Sequence, residues 1–537
     1  MMDRDNERGI ALVLALFLIS TLSVLGASLM FLAQTETYAS MNYRMMSQTR
    51  YGAEAGVQKA SNFLLDPTQY ATPTAADLLN AAVCNRNVSP VTCNGTEVVL
   101  SASPAKASNY PVAAVQAAFS AAAQGTVPAG SATLTYNTYA RLMGLQVFDS
   151  YGGGTGVSTT WEITSDGGLV GSPKAVVEIL ALVETPKVPA STYGAFGTDD
   201  QCGALTFGGN VTINSYDSSG MVGSTAPAFS STGGDVGTNG NLDISGSVDV
   251  QGNLYTPRTG VGKCTAGAVD GLTEGGHAQV DGSMVQLPGA VTYPTPTLPG
   301  PSLLPAVSVS SGTSSATTCT ALGLAPAANL SDVMATPGTP GTSQCFVTPG
   351  ASGSADVITV SGHGAALSLP SVSLSSHVNL VIQASSPAAQ VNFNSISLTG
   401  GASVGITATS PNQGALLGII GKNPDGTDIA TPVDFRGGTY AGVTGCATCS
   451  QYDASMLQLL YAGTGDVEMT GNSAAALTVY APNALFTLSG TADVYGSVLA
   501  HRLNETGTGN IHYDRRLRRD FYVLGHPIMG TFNWKRF

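Results

Sequence analysis

Apolar positions are packed into the start of this chain and dispersed through the rest. An uncharged apolar run, Ile10–Ala33, follows Arg8-Gly9 and passes without a Gly-Pro break into a polar stretch ending near Phe63-Leu64-Leu65. The run exceeds the ~20 residues that cross a hydrocarbon core of about 30 Å, and also the ~7–15 apolar residues of a cleaved export signal. The polar stretch is rich in Ala, Met, Gln and Glu and lacks proline, residues that lose little freedom in a helix. The pattern predicts one helix over 10–65 with its membrane half at 10–33. Such a helix is about 84 Å long at ~1.5 Å per residue, and only about a third of it fits in a bilayer.

Beyond the helix the period changes. Residues 66–130 are Ala-rich and broken by proline, with short helical stretches at Ala75–Ala82 and Val112–Ala123. Three alternating runs follow, Ser131–Phe148, Val157–Thr164 and Lys174–Val183, separated by Gly-rich turns. A period of two with such turns predicts antiparallel strands. Residues 66–189 therefore read as a small α+β head.

From Tyr193 the idiom is all-β. Short alternations with Gly-Asn or Ser-Gly turns recur at 205–213, 242–254, 378–382, 391–398, 467–469, 477–480, 485–488 and 494–499. Strands this short cannot each bury a face alone, but stacked as rungs they can, which is the logic of a parallel β-helix. This reading covers 190–520, with a proline-rich excursion at 286–350 that favours extended conformations. The irregular spacing keeps a β-sandwich open. Residues 521–537 form an aromatic and basic tail, expected to cover the exposed edge of the last rung.

Composition narrows the function. Charged residues make up 10% of the chain, Gly numbers 65, and the net charge is −13, which excludes a general nucleic-acid-binding surface. The Lys and Arg are nevertheless concentrated at the end: Arg502, Arg515, Arg516, Arg518, Arg519, Lys535 and Arg536 are a third of the total of 21. These read as a solvated or capping segment. Eight cysteines fall in neighbouring couples, Cys84 with Cys93, Cys202 with Cys264, Cys319 with Cys345, and Cys446 with Cys449. An even count outside the cytoplasm favours disulfides. Sequence allows roughly a hundred pairings, of which the neighbour pairing closes the shortest loops.

Three features together carry a family resemblance: the leader MMDRDNERG, the apolar segment directly after it, and the continuous helix closing in Ala53-Glu54-Ala55-Gly56. They resemble the N-terminus of type IV pilins, specifically PilX-type minor pilins. The resemblance implies a prepilin peptidase cut between Gly9 and Ile10, a methylated Ile10, and assembly with other pilins through the helix, with Leu14 and Glu54 as assembly positions. Most major pilins carry Glu where Leu14 stands, and the leader, 1–9, balances Arg4 and Arg8 against Asp3, Asp5 and Glu7. A carboxylate near the bilayer centre costs roughly 2.5–3.5 kcal/mol, so a pilin that keeps one gains a pairing in return. By the resemblance, its absence goes with a place at a filament tip or in the initiation complex. Tyr480-Ala481-Pro482, Ser489-Gly490, Tyr495-Gly496-Ser497 and His512-Tyr513-Asp514 also look like the closing rungs of β-helical domains behind PilX-type N-termini. The implied protein sits first in a bacterial inner membrane as a single-pass, periplasm-facing subunit. It then joins an extracellular pilus and displays its β domain for adhesion to a surface or polysaccharide. A pseudopilin of a type II secretion system fits the same residues.

No motif is read as catalytic. A His-Glu-x-x-His pair and a Walker loop are both missing from the sequence, each of which would carry a recognisable mechanism. The competing class is a membrane-anchored β-helix enzyme acting on polysaccharide, which needs two carboxylates about 5–9.5 Å apart. Asp243 and Asp249 are the candidates. Asp425 and Asp428, in Asp-Gly-Thr-Asp, are a weak calcium candidate, since such a turn ordinarily serves chain reversal. His501 and His512 are expected at turns, and Cys446-Ala-Thr-Cys449 as a small structural loop. The expectation is a structural subunit without cofactor or catalytic residues.

Overall fold

The computed structural model describes the chain apart from residues 1–5, 67–68, 71–72, 74–76, 131, 150–154, 190, 335–343, 351–354, 521, 525–527 and 537. A long apolar helix is followed by mostly β structure, arranged in two compact units. One comprises Met1–Phe148, Gly156–Lys187 and Leu524–Phe537; the other comprises Asp149–Thr155 and Val188–Val523.

In the first unit, α1 runs without interruption over Asn6–Leu65. Its apolar part is bare: Leu14 is 58% exposed and Phe31 71%. Burial begins at Thr49 and continues through Ala53, Val57, Ala60, Phe63 and Leu64, a spacing of three to four that marks one helix face. Val57, Phe63 and Leu64 each contribute ~1.5–3 kcal/mol by leaving water. Phe63 meets Phe119 of α2 (Ala113–Ala122) edge-on at 5.4 Å, and Tyr70 meets Trp161 at 6.0 Å.

The helix packs on a sheet of β1 (Val99–Ser101), β2 (Gln124–Ala129), β3 (Ala132–Asp149), β4 (Thr155–Leu169) and β5 (Ser172–Thr185). β3 pairs antiparallel with β1 and β2, as β4 does with β5. Two expectations fail here. The helical stretch expected over 75–82 is not formed among its described residues: positions 77–79 and 81–82 are turns, because a helix this short has too few bonds to offset its nucleation. The tail was expected on the edge of the last rung; its strand Ile528–Arg536 instead pairs antiparallel with β5, Ile528 opposite Glu184 and Arg536 opposite Val177.

The second unit is built from one 27-stranded sheet wound so that most strands lie parallel to a strand one turn later. Three walls result, and their inward positions form ladders. One reads Leu417, Leu459, Val479, Val498, Ala195, Val236, Leu254. Another reads Leu380, Val404, Ala441, Ala475, Val494, Ile511, Ile213, Val250. All of these side chains are buried, which is how strands of three to five residues obtain a shared core.

Order along the chain and order in space differ. The first rung (Ala195–Gly197, Leu205–Gly209, Thr212–Tyr216) starts a stack that grows outward to Met284–Gln286. The chain then leaves, re-enters at Val307–Ser310, and winds back until its last rung, within Asp493–Asp514, pairs in parallel with the first. The proline-rich segment makes the crossing. Val291 exchanges two hydrogen bonds with the Asn239 side chain, Tyr480 donates to the Pro294 carbonyl at 2.6 Å, and Ser302 exchanges two with Asn394. An extended chain covers ~3.1 Å per residue, so residues 287–306 reach about 60 Å, enough to pass many rungs spaced ~4.8 Å apart. The excursion predicted over 286–350 thus contains a strand of the stack. It also contains the end cap: Ala316–Ala321, Leu330–Val333 and Cys345–Thr348, the last antiparallel to Val357–Val360.

Candidate functional site

The exposed apolar part of α1 and the seat that holds its other end are the candidate site. Gly9 and Ile10 both lie within the helix; residues 1–5 of the expected leader are outside the described residues. Leu14 stands among exposed Ile10, Val13 and Phe17. Glu54 accepts from Arg50 Nε at 2.8 Å one turn earlier, an i, i+4 pair on the solvent-facing side.

The seat depends on close approach at three glycines, two of them against backbone. A β-carbon on Gly167 of β4 would collide with the Thr49 carbonyl and the Ala53 nitrogen. One on Gly56 would collide with Ser165 Oγ and stand 2.6 Å from Thr138 Oγ1, and one on Gly52 would stand 2.9 Å from the Thr135 carbonyl. Thr138 Oγ1 donates to Ser165 Oγ at 2.9 Å beneath the helix, so the buried hydroxyls bond each other rather than compete for the helix backbone. Sequence reasoning includes Gly56 as part of a motif but misses Gly52, Gly167 and Thr49. The Gly52-x-x-x-Gly56 spacing is the available signal, since it puts both glycines on one face.

Four disulfides join Cys84 to Cys93, Cys202 to Cys264, Cys319 to Cys345 and Cys446 to Cys449. Cys319–Cys345 ties a short helix of the end cap to the cap's strand. Cys446–Cys449 closes a loop whose Cys449 carbonyl accepts from Gly223 N at 2.8 Å, so the pair fastens one loop beside another.

The carboxylates nominated for chemistry serve turns and rungs. Asp425 accepts from Thr427 N at 2.9 Å and from its hydroxyl at 2.6 Å, bonds that hold its pKa below the usual carboxylate range, and Asp428 accepts from Lys422 at 2.6 Å. Asp249 accepts from Gln251 and Gln279, while Asp243 lies on the neighbouring strand Leu242–Gly246. Among the described residues, no group of three or more His, Cys, Asp or Glu side chains could hold a metal ion.

One spacing that sequence reasoning passes over is Gly401-Ala402-Ser403-Val404-Gly405, which has the Gly-x-Ser-x-Gly form of a nucleophile elbow. An elbow needs its serine on a sharp strand-to-helix turn. Ser403 instead opens the strand Ser403–Thr407, in register with Asn379 and Tyr440, and its hydroxyl donates to Asn379 Oδ1 at 2.6 Å. It is a rung residue.

His501 and His512 both lie on strands, not at the expected turns. His512 is buried on Asn510–Asp514, stacked on Phe229 at 4.1 Å and touching Asn214 Oδ1 through Nδ1 at 2.7 Å. Burial pushes its pKa down to about 4, so the ring packs as a neutral aromatic. His501 lies on Asp493–Gly507, with Thr198 Oγ1 3.4 Å from Nδ1. A neutral imidazole stacks as other rings do, so nothing confines it to a turn.

The C-terminal arginines have a definite geometry. Arg502 pairs with Asp199, Arg516 with Asp453, Arg518 with Asp235 and Arg519 with Asp217. The last rung and the turn after it are thereby fastened to the first two rungs and to the loop before Leu457.

Residues 433–520 match a family described as a domain of unknown function, DUF7305. That span starts at the strand Val433–Arg436 and holds the last rungs and their arginines. No curated protein matches the chain. Among solved structures it is similar to the competence-associated pilin ComZ from Thermus thermophilus, at 13% identity, over 91% of this chain and 97% of that one, with a TM-score of 0.23.

Proposed function

We propose that this chain is a minor-pilin-like subunit of a type IV pilus, of the PilX type, that assembles through α1 and displays a parallel β-helix. The observation that carries this reading is the division of one unbroken helix: its first part is apolar and bare, and its last turns are locked into a folded head by glycine contacts. A bare apolar surface of that length is stable only in lipid or against other apolar helices. A plain membrane anchor would account for the lipid-facing part alone. The prepilin-like Arg8-Gly9-Ile10 junction and the Ala53–Gly56 seat add the second environment, a bundle of pilin helices.

In this reading a prepilin peptidase cuts after Gly9 and Ile10 becomes the N-terminus. The helix then leaves the inner membrane for the filament, with Leu14 placing the subunit at the tip or in the initiation complex. The β-helix is carried outside as an adhesive module for a surface or polysaccharide. Its role is structural, and its partners are other pilins and the peptidase.

The test is mass spectrometry of the N-terminus in sheared surface filaments and in the membrane fraction. An N-methylated Ile10 in filaments is the expected result. A processed N-terminus found only in the cell envelope assigns the chain to a type II secretion pseudopilus, and an intact Met1 confined to the membrane overturns processing altogether.

A further inference from the structure

The third wall of the stack reads Leu398, Phe435, Met469, Leu488, Glu505, Phe207, Ile244. One inward position is a carboxylate. Glu505 is fully buried, with Leu488 opposite it on one side and Phe207 on the other, and neither of its oxygens has a hydrogen-bond partner of normal geometry among the described residues. Its place is not arbitrary. The Glu505–Phe207 pair lies at the joint where the returning chain closes on the first rung, between segments nearly 300 residues apart.

The titratable groups on the strands around it are engaged elsewhere. On its own strand, Arg502 and His501 face Asp199, Asp493 accepts from Asn510, and the Tyr495 ring packs on His512 and Tyr452. On Asn510–Asp514, His512 meets Asn214, Tyr513 donates to the Ser191 carbonyl, and Asp514 accepts from Ser218 at 2.6 Å. Tyr480 of the preceding rung donates to Pro294, Glu468 below it accepts from Arg436, and Tyr216 of the first rung donates to the Tyr452 carbonyl. The strand Leu205–Gly209 carries no titratable side chain. Among the described residues no cation therefore faces Glu505, and the nearby Gly509 amide is the group that favours its charge.

We propose that Glu505 makes the joint between the last and first rungs a proton-operated catch. Protonated, it fills its place in the ladder between Leu488 and Phe207. Ionised, it is favoured by reaching water, and parting the two rungs gives it that access. Burial pushes its carboxyl up from an ordinary 4.5 to about 8. A folded-state pKa above the unfolded one means that closure is strongest below about 4.5 and weakens until pH passes about 8. Between those limits each pH unit weakens closure about tenfold.

The experiment is amide hydrogen exchange on the full chain in detergent micelles at pH 5.5, 7 and 8.5, corrected for the intrinsic pH dependence of exchange. Protection of Leu205–Gly209 and Leu503–Gly507 is expected to fall about tenfold per pH unit from pH 5.5 to 7 and to level off above about 8, while Val391–Phe393, remote from the joint, keeps its protection. Glu505→Gln and Glu505→Leu are expected to flatten the profile. A flat wild-type profile, a loss of equal size at Val391–Phe393, or a slope that survives in a folded variant each overturns the proposal. The wild-type profile alone decides if neither variant folds.

Discussion

Arg516 Nη1 lies 2.5 Å from Asp453 Oδ2, and the aspartate side chain is 2% exposed. The bond joins the turn after the last rung to the loop that carries Cys446–Cys449, so the end of the stacked unit is fastened from outside as well as through its ladders. The same turn sends Arg518 to Asp235 at 2.8 Å and Arg519 to Asp217 at 3.1 Å. Within the cluster that reads in sequence as a solvated or capping segment, Arg502, Arg516, Arg518 and Arg519 are staples across the joint.

These staples differ in burial, and the difference ranks their substitutions. Arg516→Met leaves a buried carboxylate without its cation and is expected to cost ~3–5 kcal/mol. Arg519→Met breaks a pair whose partners are 58% and 38% exposed and is expected to cost less than ~1 kcal/mol. Urea unfolding of the full chain in detergent, followed by tyrosine fluorescence, reads both. Equal losses would contradict the ranking.

The helix seat gives a second contrast. Gly167→Ala must push the Thr49 turn off β4 and is expected to cost roughly 1–3 kcal/mol, as overpacking does. Gly56→Ala meets its two shortest contacts at the Ser165 and Thr138 hydroxyls in place of backbone, and costs less because those hydroxyls can rotate away. Gly26→Ala, with nothing within 4 Å of its β-carbon, leaves the fold unchanged. Thermal melts of the three variants should fall in that order.

The C-terminal strand tests how the head is completed. Ending the chain at Val523 strips β5 of Ile528–Arg536. With ~1 kcal/mol net per ladder bond, the loss is on the order of several kcal/mol. Limited proteolysis should then cut within β5 while the stack stays resistant. An uncut head would show that β5 does not depend on this partner.

The end cap should be acid-sensitive. Asp356 accepts from the Ser314 hydroxyl and from the Gly350 and Gly312 amides at 2.8 Å, and these bonds hold its pKa below the ordinary 3.8. Its stabilisation is full above about 3.8 and is lost as pH falls through the lower, folded value. Asp356→Asn is expected to lower the melting temperature at pH 7 and to narrow its difference from wild type near pH 3. A constant difference would separate Asp356 from the acid response.

Sequence by itself determined the elements whose cause is local. The length and purity of Ile10–Ala33 dictate a helix, because an apolar run without charge or proline has no better use for its backbone bonds. Alternation dictates strands in β3, β4 and β5, because a period of two gives each one face for the core. Short Gly-punctuated strands also imply stacking, since none could bury a face alone. What only the tertiary structure decided are the relations between distant segments. Nothing near Ile528 says that it will lie opposite Glu184, and nothing near Asp493–Asp514 says that it will close on Ala195–Tyr216. The staples of Arg516 and Arg518 and the burial of Glu505 follow from that closure. A ladder pairs whichever strand edge is free, and which edge is free depends on where the rest of the chain has already gone.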